Sequence, residues 1–489
     1  MANIQLTINE KTVSVPAGIT ILEAAAQNGI RIPTLCNLKK LDPRANCRMC
    51  VVEVEKSRTF QPACATKVSD GMVVRTDTPA LREARKMTLQ LILSRHAVDC
   101  HHCLRIGSSK CADLDPTFCE MCFFCDCVRD GFCELQSLAR EYGVDVLPYE
   151  IEADSHPIDT SLGSVIRNPN KCIKCRRCVD VCCKVQTVHT LSMKNRGSEM
   201  EVIPALGKPL SESPCVRCGR CVTVCPTGSV FMQEHKDELV YAGHQYGVTT
   251  VAQLDPNILS ELEGLFKMPF GTLTLERVAA GLKKIGIDHV VSDAEAQALS
   301  AAQGSAELKA KLSKVKGPII LTNSFASQNF ITRYFSNLAE NVVTYPSAQQ
   351  AFGRYVKESF AVAHKLDPAK IRTIVVSNDN ENGAEAHETG NVDFSLNARE
   401  LYRIFMRTGG NMNTLRDAKL DKLGVSVDTP SALFGRIQWN MEKEPEVRTV
   451  DFDGKSLRVT IAHNLGQARK LLDEMRAGKP TCQVLRIIT

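Results

Sequence analysis

The sequence predicts a chain of several domains, α+β through its first half and α/β through its second. Three observations lead there. Its 489 residues are too many for one hydrophobic core. All but one of its 22 cysteines precede residue 226, many in short-spaced runs, and only Cys482 follows. From about residue 245, patterns of buried strands alternate with helical ones. The composition, 44% hydrophobic and 24% charged, is that of folded globular protein. No stretch approaches eighteen consecutive apolar residues, so no membrane span is expected. The start, MANIQLTINEKTVSV, lacks a basic flank before an apolar run, so a cytoplasmic location is expected. In a reducing compartment, closely paired cysteines mean metal more often than disulfide. A net charge of +5 with scattered Lys and Arg gives no support to nucleic-acid binding.

In residues 1–78, apolar side chains alternate at Ile4, Leu6 and Ile8 and again at Val13 and Val15, across a polar turn. That pattern predicts a β-hairpin. TILEAAAQN (20–28) reads as a short helix stopped by Gly29, and VVEVE (51–55) and MVVRT (72–76) as strands. A small sheet crossed by one helix is a β-grasp arrangement. Into it are set Cys36, Cys47, Cys50 and Cys64, spaced C-x10-C-x2-C-x13-C. Four thiolates from loops around one point suit a 2Fe–2S cluster, with the C-x2-C pair expected on one iron. They would also suit structural zinc. The host resembles a plant-type ferredoxin, which favours the cluster. The spacing itself resembles the N-terminal domain of the large iron–sulfur subunit of complex I and of iron-only hydrogenases.

In residues 79–150, MTLQLILSRHAVDCHHC carries an amphipathic helix into His96, Cys100 and Cys103 as H-x3-C-x2-C. In the families just named this motif implies a 4Fe–4S site with one histidine ligand, closed by a cysteine shortly before Leu-Gln. Here CELQ occurs at Cys133, about thirty residues late, after Cys111, Cys119, Cys122, Cys125 and Cys127. The fourth ligand therefore stays open between Cys111 and Cys133. His96 and eight cysteines are enough for two four-ligand clusters. One partition gives His96, Cys100, Cys103 and Cys133 to the first, and Cys119, Cys122 and Cys125 with Cys111 or Cys127 to a second. Zinc or plain reduced thiols remain the alternatives for the insert, 104–132. His101 and His102 read as exposed loop residues.

Residues 151–240 give the strongest signal. NKCIKCRRCVDVCCK places Cys172, Cys175, Cys178 and Cys182 as C-x2-C-x2-C-x3-C, and SPCVRCGRCVTVCPTGS repeats it with Cys215, Cys218, Cys221 and Cys225. This is the pattern of bacterial two-cluster ferredoxins, where the last cysteine of each run ligates the other cluster. One 4Fe–4S cluster is then expected on Cys172, Cys175, Cys178 and Cys225, and another on Cys215, Cys218, Cys221 and Cys182. Cys183 is left over and expected to pack.

In residues 241–489, PIILTNS, IRTIVVSN and SLRVTIAHN read as buried strands. SDAEAQALSAAQ, QQAFGRYVKESFAVAHK, ARELYRIFMRTG and NLGQARKLLDEMRAG read as helices. Alternation of the two implies a parallel sheet covered on both faces. These segments, with VAQLDPNI and VAAGLKKIGIDHVVS, resemble the catalytic domain of iron-only hydrogenases in the same order. The hydrogenase cysteine motifs are replaced: Thr322, Asn323, Ser324, Phe325 and Ala326 stand for Thr-Ser-Cys-Cys-Pro, and SNDNENGAE (377–385) for the segment with Met-Pro-Cys. A last motif should follow LLDEMRAGKPTCQVLRIIT, where the sequence ends at Thr489. Ser, Phe and Asn do not replace soft thiolate ligands, so no H-cluster and no hydrogenase activity are expected. No G-x-G-x-x-G follows a strand, so flavin or nicotinamide binding by this chain has no support.

The whole chain resembles the iron–sulfur subunit of electron-bifurcating hydrogenase and transhydrogenase complexes, most of all the hydrogenase-like subunit of the Sporomusa-type transhydrogenase. That resemblance implies one 2Fe–2S and three 4Fe–4S clusters, with a fourth in the insert as an open question. It also implies partners: a flavoprotein subunit carrying FMN and an NADH site, a small 2Fe–2S subunit, an NADP-binding subunit, and ferredoxin. The chain would be a non-catalytic electron-transfer subunit, its hydrogenase-like domain a scaffold or docking site. The alternative is a subunit of a complex I-like or formate dehydrogenase-linked assembly, which shares only the front half.

Overall fold

The computed structural model describes residues 3–97, 127–129, 131–144, 147–149, 155–243, 245–315, 317–425 and 433–489. Strands β1 (Asn3–Ile8) and β2 (Lys11–Pro16) form the expected hairpin. Asn9 and Glu10 at its tip are both left-handed (φ 47° and 68°), as a two-residue type I′ turn requires. Thr20 caps the helix Ile21–Gln27 through a capping box: its hydroxyl accepts from the Glu23 N–H and Glu23 Oε2 accepts from the Thr20 N–H. With β3 (Val51–Val54), β4 (Gln61–Pro62) and β5 (Val73–Arg75) the sheet runs β2-β1-β5-β3-β4, parallel only between β1 and β5. Leu6, Ile8, Val13 and Val15 bury the alternating face against Ile21, Ala24 and Ala25.

The helix Pro79–Leu93 buries Leu81, Arg85, Leu89 and Leu93, one stripe at intervals of four. Arg85 lies in that stripe because it satisfies backbone acceptors: its guanidinium donates to Val51 O (2.7 Å), Thr76 O (2.9 Å) and Tyr142 Oη (3.1 Å). The helix Glu134–Glu141 packs alongside.

The repeated cysteine runs fold as near-copies. β6 (Val165–Arg167) pairs with β9 (Val230–Met232), and β7 (Leu191–Lys194) with β8 (Glu201–Pro204). Each run leads into a short helix, Arg177–Asp180 or Arg220–Val224, entered through a left-handed residue, Arg176 (φ 69°) or Gly219 (φ 68°). Only the second copy needs glycine there: a Cβ on Gly219 would lie 2.6 Å from the Asn380 Cβ.

In the C-terminal lobe follow β10 (Thr249–Leu254), β11 (His289–Ser292), β12 (Ile319–Thr322), β13 (Val342–Thr344), β14 (Ile371–Val376), β15 (Phe394–Leu396), β16 (Glu446–Phe452), β17 (Lys455–Ala462) and β18 (Val484–Ile487). They make two sheets where the alternation suggested one: β11-β10-β14-β15, wholly parallel, and β13-β12-β18-β17-β16, parallel except for the β16–β17 hairpin. The expected helix over 349–365 is interrupted by a π turn at Val356–Phe360, and the one starting at Asp293 runs on to Leu312. Among the described residues no helix is long and apolar enough to cross a membrane.

The units are joined by packing. Leu38 and Leu41 from the first, Val181, Val185 and Val224 from the ferredoxin-like unit, and Trp439 and Met441 from the C-terminal lobe share one apolar cluster.

Candidate iron–sulfur centres and the C-terminal cavity

Cys36, Cys47, Cys50 and Cys64 come together at one end of the first sheet, Cys50 just ahead of β3 and Cys64 just beyond β4. Cys36, Cys50 and Cys64 are buried and Cys47 is partly so. The thiols meet in two pairs: Cys50 Sγ lies 3.4 Å from Cys64 Sγ, and Cys47 hydrogen-bonds Cys36. The C-x2-C motif is therefore divided between the pairs. The sequence expectation put the two cysteines of C-x2-C on one iron, whereas the thiol contacts run from Cys47 to Cys36 and from Cys50 to Cys64. The shared hydrogen bonds hold Cys36 down at about 6 and Cys50 at about 7, against the opposing effect of burial. Cys47 and Cys64 are pushed up by the same hydrogen bonds and by burial.

In the ferredoxin-like unit one cavity is lined by Cys172, Cys175, Cys178 and, from the other run, Cys225. A second is lined by Cys182, Cys215, Cys218 and Cys221. Equivalent loops aim backbone N–H groups at sulfur: Lys174 N–H donates to Cys172 Sγ and Arg217 N–H to Cys215 Sγ, both at 3.4 Å, and Thr190 N–H to Cys182 Sγ at 3.3 Å. Lys174 and Arg217 are left-handed (φ 56° and 64°), the backbone turn that points these donors inward. Burial pushes Cys215 up to about 11 and Cys218 to about 12, and raises Cys172, Cys175, Cys178 and Cys221. Thiolates so desolvated stand only beside a strong cation, and four thiols with inward N–H donors fit the donor set of a 4Fe–4S cluster. Cys183 is partly buried, its thiol donating to Leu191 O at 3.3 Å.

Of the His/Cys segment, Cys100, Cys103, Cys111, Cys119, Cys122 and Cys125 lie outside the described residues, as do His101 and His102. His96 is buried just past the helix Pro79–Leu93, and the next residue, Ala97, donates from its N–H to Asn170 O at 2.9 Å, against the ferredoxin-like unit. Cys133 caps the helix Glu134–Glu141, its sulfur accepting from Gln136 N–H at 3.5 Å, and burial pushes its thiol up to about 11. Cys127 and Cys133 share one apolar cluster with Leu35, Met49 and Cys47. Gly228 leaves room for Cys127: a Cβ there would be 3.3 Å from its sulfur.

In the C-terminal lobe a cavity of about 110 Å³ opens at the carboxyl ends of strands from both sheets, where ligands of open α/β sheets sit. Ser324, Ser377, Asp379, Glu381, Glu385, Arg436, Arg486 and Thr489 are among its lining residues, and none of its described lining residues is a cysteine. Ser324 and Thr489 hydroxyls and the Ala326 N–H all hydrogen-bond Glu381, whose carboxyl burial and nearby Asp379 raise. Burial pushes Glu385 up to about 7 despite donors from Ser347 and Gln349. Arg436 bridges Asp255 and Asp293. Ser324, expected where hydrogenases carry cysteine, caps the helix Phe325–Tyr334 instead. Cys482 packs in the apolar core below the helix Leu465–Arg476.

Sequence reasoning passed over the arginines. Arg177 and Arg220 stand at the same place in the two runs, directly before the third cysteine, and both are buried. Their repeat was the available signal.

Three family models match the chain: "2Fe-2S iron-sulfur cluster binding domain" over residues 1–79, "4Fe-4S dicluster domain" over 171–236, and "Iron only hydrogenase large subunit, C-terminal domain" over 248–488. The NADP-reducing hydrogenase subunit HndD of Solidesulfovibrio fructosivorans is 32% identical across 98% of this chain and 86% of its own length. An NADH-quinone oxidoreductase subunit of Rhizobium meliloti is 39% identical over 41% of this chain, which spans only 21% of that protein. An apo [FeFe]-hydrogenase HydA1 from Chlamydomonas reinhardtii superposes with a TM-score of 0.44 at 16% identity, over 53% of this chain and 82% of that one. Three domain types in one chain, and a relative matched over most of its length, place the protein in the family of iron–sulfur, iron-only-hydrogenase-like subunits that includes HndD.

Proposed function

We propose that this chain relays single electrons through iron–sulfur clusters within an NAD(P)H-linked oxidoreductase complex, and that the complex is of the flavin-based bifurcating kind coupling NADH, ferredoxin and NADP. The observation that carries the relay is the pair of cavities, each lined by three cysteines of one run and the fourth of the other. Cys172, Cys175, Cys178 and Cys225 would hold one 4Fe–4S cluster, and Cys182, Cys215, Cys218 and Cys221 another. Cys36, Cys47, Cys50 and Cys64 would hold the 2Fe–2S cluster, with Cys36 and Cys47 on one iron and Cys50 and Cys64 on the other, following the thiol pairs. Such clusters, when bound, take up and release one electron at a time with no bond made or broken in substrate. The chain's own part is to bury them, to direct N–H groups at their sulfurs and to fix their separation.

A third 4Fe–4S site falls to His96, Cys100, Cys103 and either Cys111 or Cys133. The divisions 1–78, 79–150, 151–240 and 241–489 serve as working domain limits. The C-terminal lobe acts as scaffold and docking body without hydrogen chemistry, a reading supported by a cavity lining of hydroxyls, carboxylates and guanidinium groups in place of thiols. The name of the relative matched over most of its length favours NADP as one end of the path. A flavoprotein, a small 2Fe–2S subunit and ferredoxin are the proposed partners.

The test is anaerobic purification of the native complex, with its subunits, flavins, iron and sulfide measured, followed by the same for Cys218→Ala. The variant is expected to leave dye reduction by the flavin partner intact and to stop electron flow to the physiological acceptor. Undiminished flow in that variant would refute the relay.

A further inference from the structure

Arg177 and Arg220 each begin a short helix at the same place in the two cysteine runs. Arg177 is 7% exposed and donates from Nη1 to Glu134 Oε1 at 2.6 Å. Glu134 follows Cys133, and its N–H donates to Pro226 O at 2.9 Å, beside Cys225. Arg220 is 5% exposed, 3.4 Å from Asp379 on the rim of the C-terminal cavity, and stacked at 4.8 Å over Trp439. In both arginines Nε is buried and has no hydrogen-bond partner among the described residues. Arg220 thus lines one cluster cavity and Arg177 directly precedes Cys178, a cysteine of the other, and each guanidinium also meets a carboxylate from outside the ferredoxin-like unit.

We propose that Arg177 and Arg220 are the charge partners that set the potentials of the two clusters of the ferredoxin-like unit, and that Glu134 and Asp379 moderate them from outside it. This rests on the relay reading above. A positive charge held in a desolvated place favours the added electron and raises the potential of the cluster beside it; a carboxylate paired with that charge offsets the effect. Arg220 couples its cluster to the acidic cavity, where Asp379 faces Glu381.

The experiment is a potentiometric titration of the full chain in its complex, followed by electron paramagnetic resonance. Arg177→Met is expected to move one 4Fe–4S signal to a more negative midpoint, and Arg177→Lys to restore it. Arg220→Met is expected to move a different 4Fe–4S signal alone. Glu134→Gln and Asp379→Asn are expected to move the corresponding signals the opposite way, and they decide the matter if the methionine variants fail to load iron. Unchanged midpoints in iron-replete variants, or equal shifts of every cluster, would overturn the proposal while leaving the relay standing. An iron-free native protein would overturn the relay itself and this proposal with it.

Discussion

Gly466 lies so close under Val185 that a Cβ placed on it would be 2.5 Å from the Val185 carbonyl oxygen. The contact seats the helix Leu465–Arg476 on the turn that follows Cys182. Leu465 N–H donates beside it to Gln186 Oε1 at 2.9 Å, and Arg469 Nη2 to Thr187 O at 3.0 Å. Gly466→Ala is expected to push this helix off the ferredoxin-like unit and cost about 1–3 kcal/mol. A lowered melting temperature, with earlier proteolysis between the units, is the readout; an unchanged melting curve would mean that the seat is soft.

Arg44 reaches across from the loop near Cys47 to Asp180, with Nε donating at 2.9 Å and Nη2 forming the second arm. Asp180 is nearly buried, so Arg44→Ala strands a desolvated carboxylate. A loss of about 2 kcal/mol is expected, and Asp180→Asn combined with it should recover part of that loss. A double variant no better than the single one would show that the charge is not what matters.

Cys225 lines the cavity of the first run although it belongs to the second. Cys225→Ala and Cys172→Ala are therefore expected to lose the same 4Fe–4S signal, and Cys182→Ala and Cys215→Ala the other. Loss of one signal by Cys225→Ala and Cys215→Ala together would show that each run keeps its own four cysteines.

Glu385 carries a carboxyl that burial pushes from 4.5 to about 7. Between those values the folded chain keeps a proton that the unfolded chain has already released. Its stabilising contribution is therefore complete below about 4.5 and is lost as the pH rises to about 7. Glu385→Gln is expected to make the fall in stability across that window shallower. Denaturant midpoints of both proteins at several pH values check it, and parallel curves would contradict it.

Much of this was legible in residues because the signals were local. The alternation at Leu6, Ile8, Val13 and Val15, the Thr20 cap and the repeated cysteine runs each state their own structure within a few positions. The division of the C-terminal strands into two sheets was not, since β12 finds β18 more than 150 residues on and periodicity says nothing of partners. The pairing of Cys36 with Cys47 and Cys50 with Cys64 escapes a reading of spacing for a related reason: nearness in sequence does not fix nearness in space. Arg85, Arg177 and Arg220 escape it because charged residues are ordinarily read as surface.

The joint where Leu38, Leu41, Val181, Val185, Val224, Trp439 and Met441 meet has one more consequence. Residues from three parts of the chain pack against one another there, an arrangement that ties those parts together instead of leaving any one to swing free. On the proposed relay, current through this part of the molecule would hop between fixed stations, and slow gating of the traffic would be sought at the borders with the proposed partners.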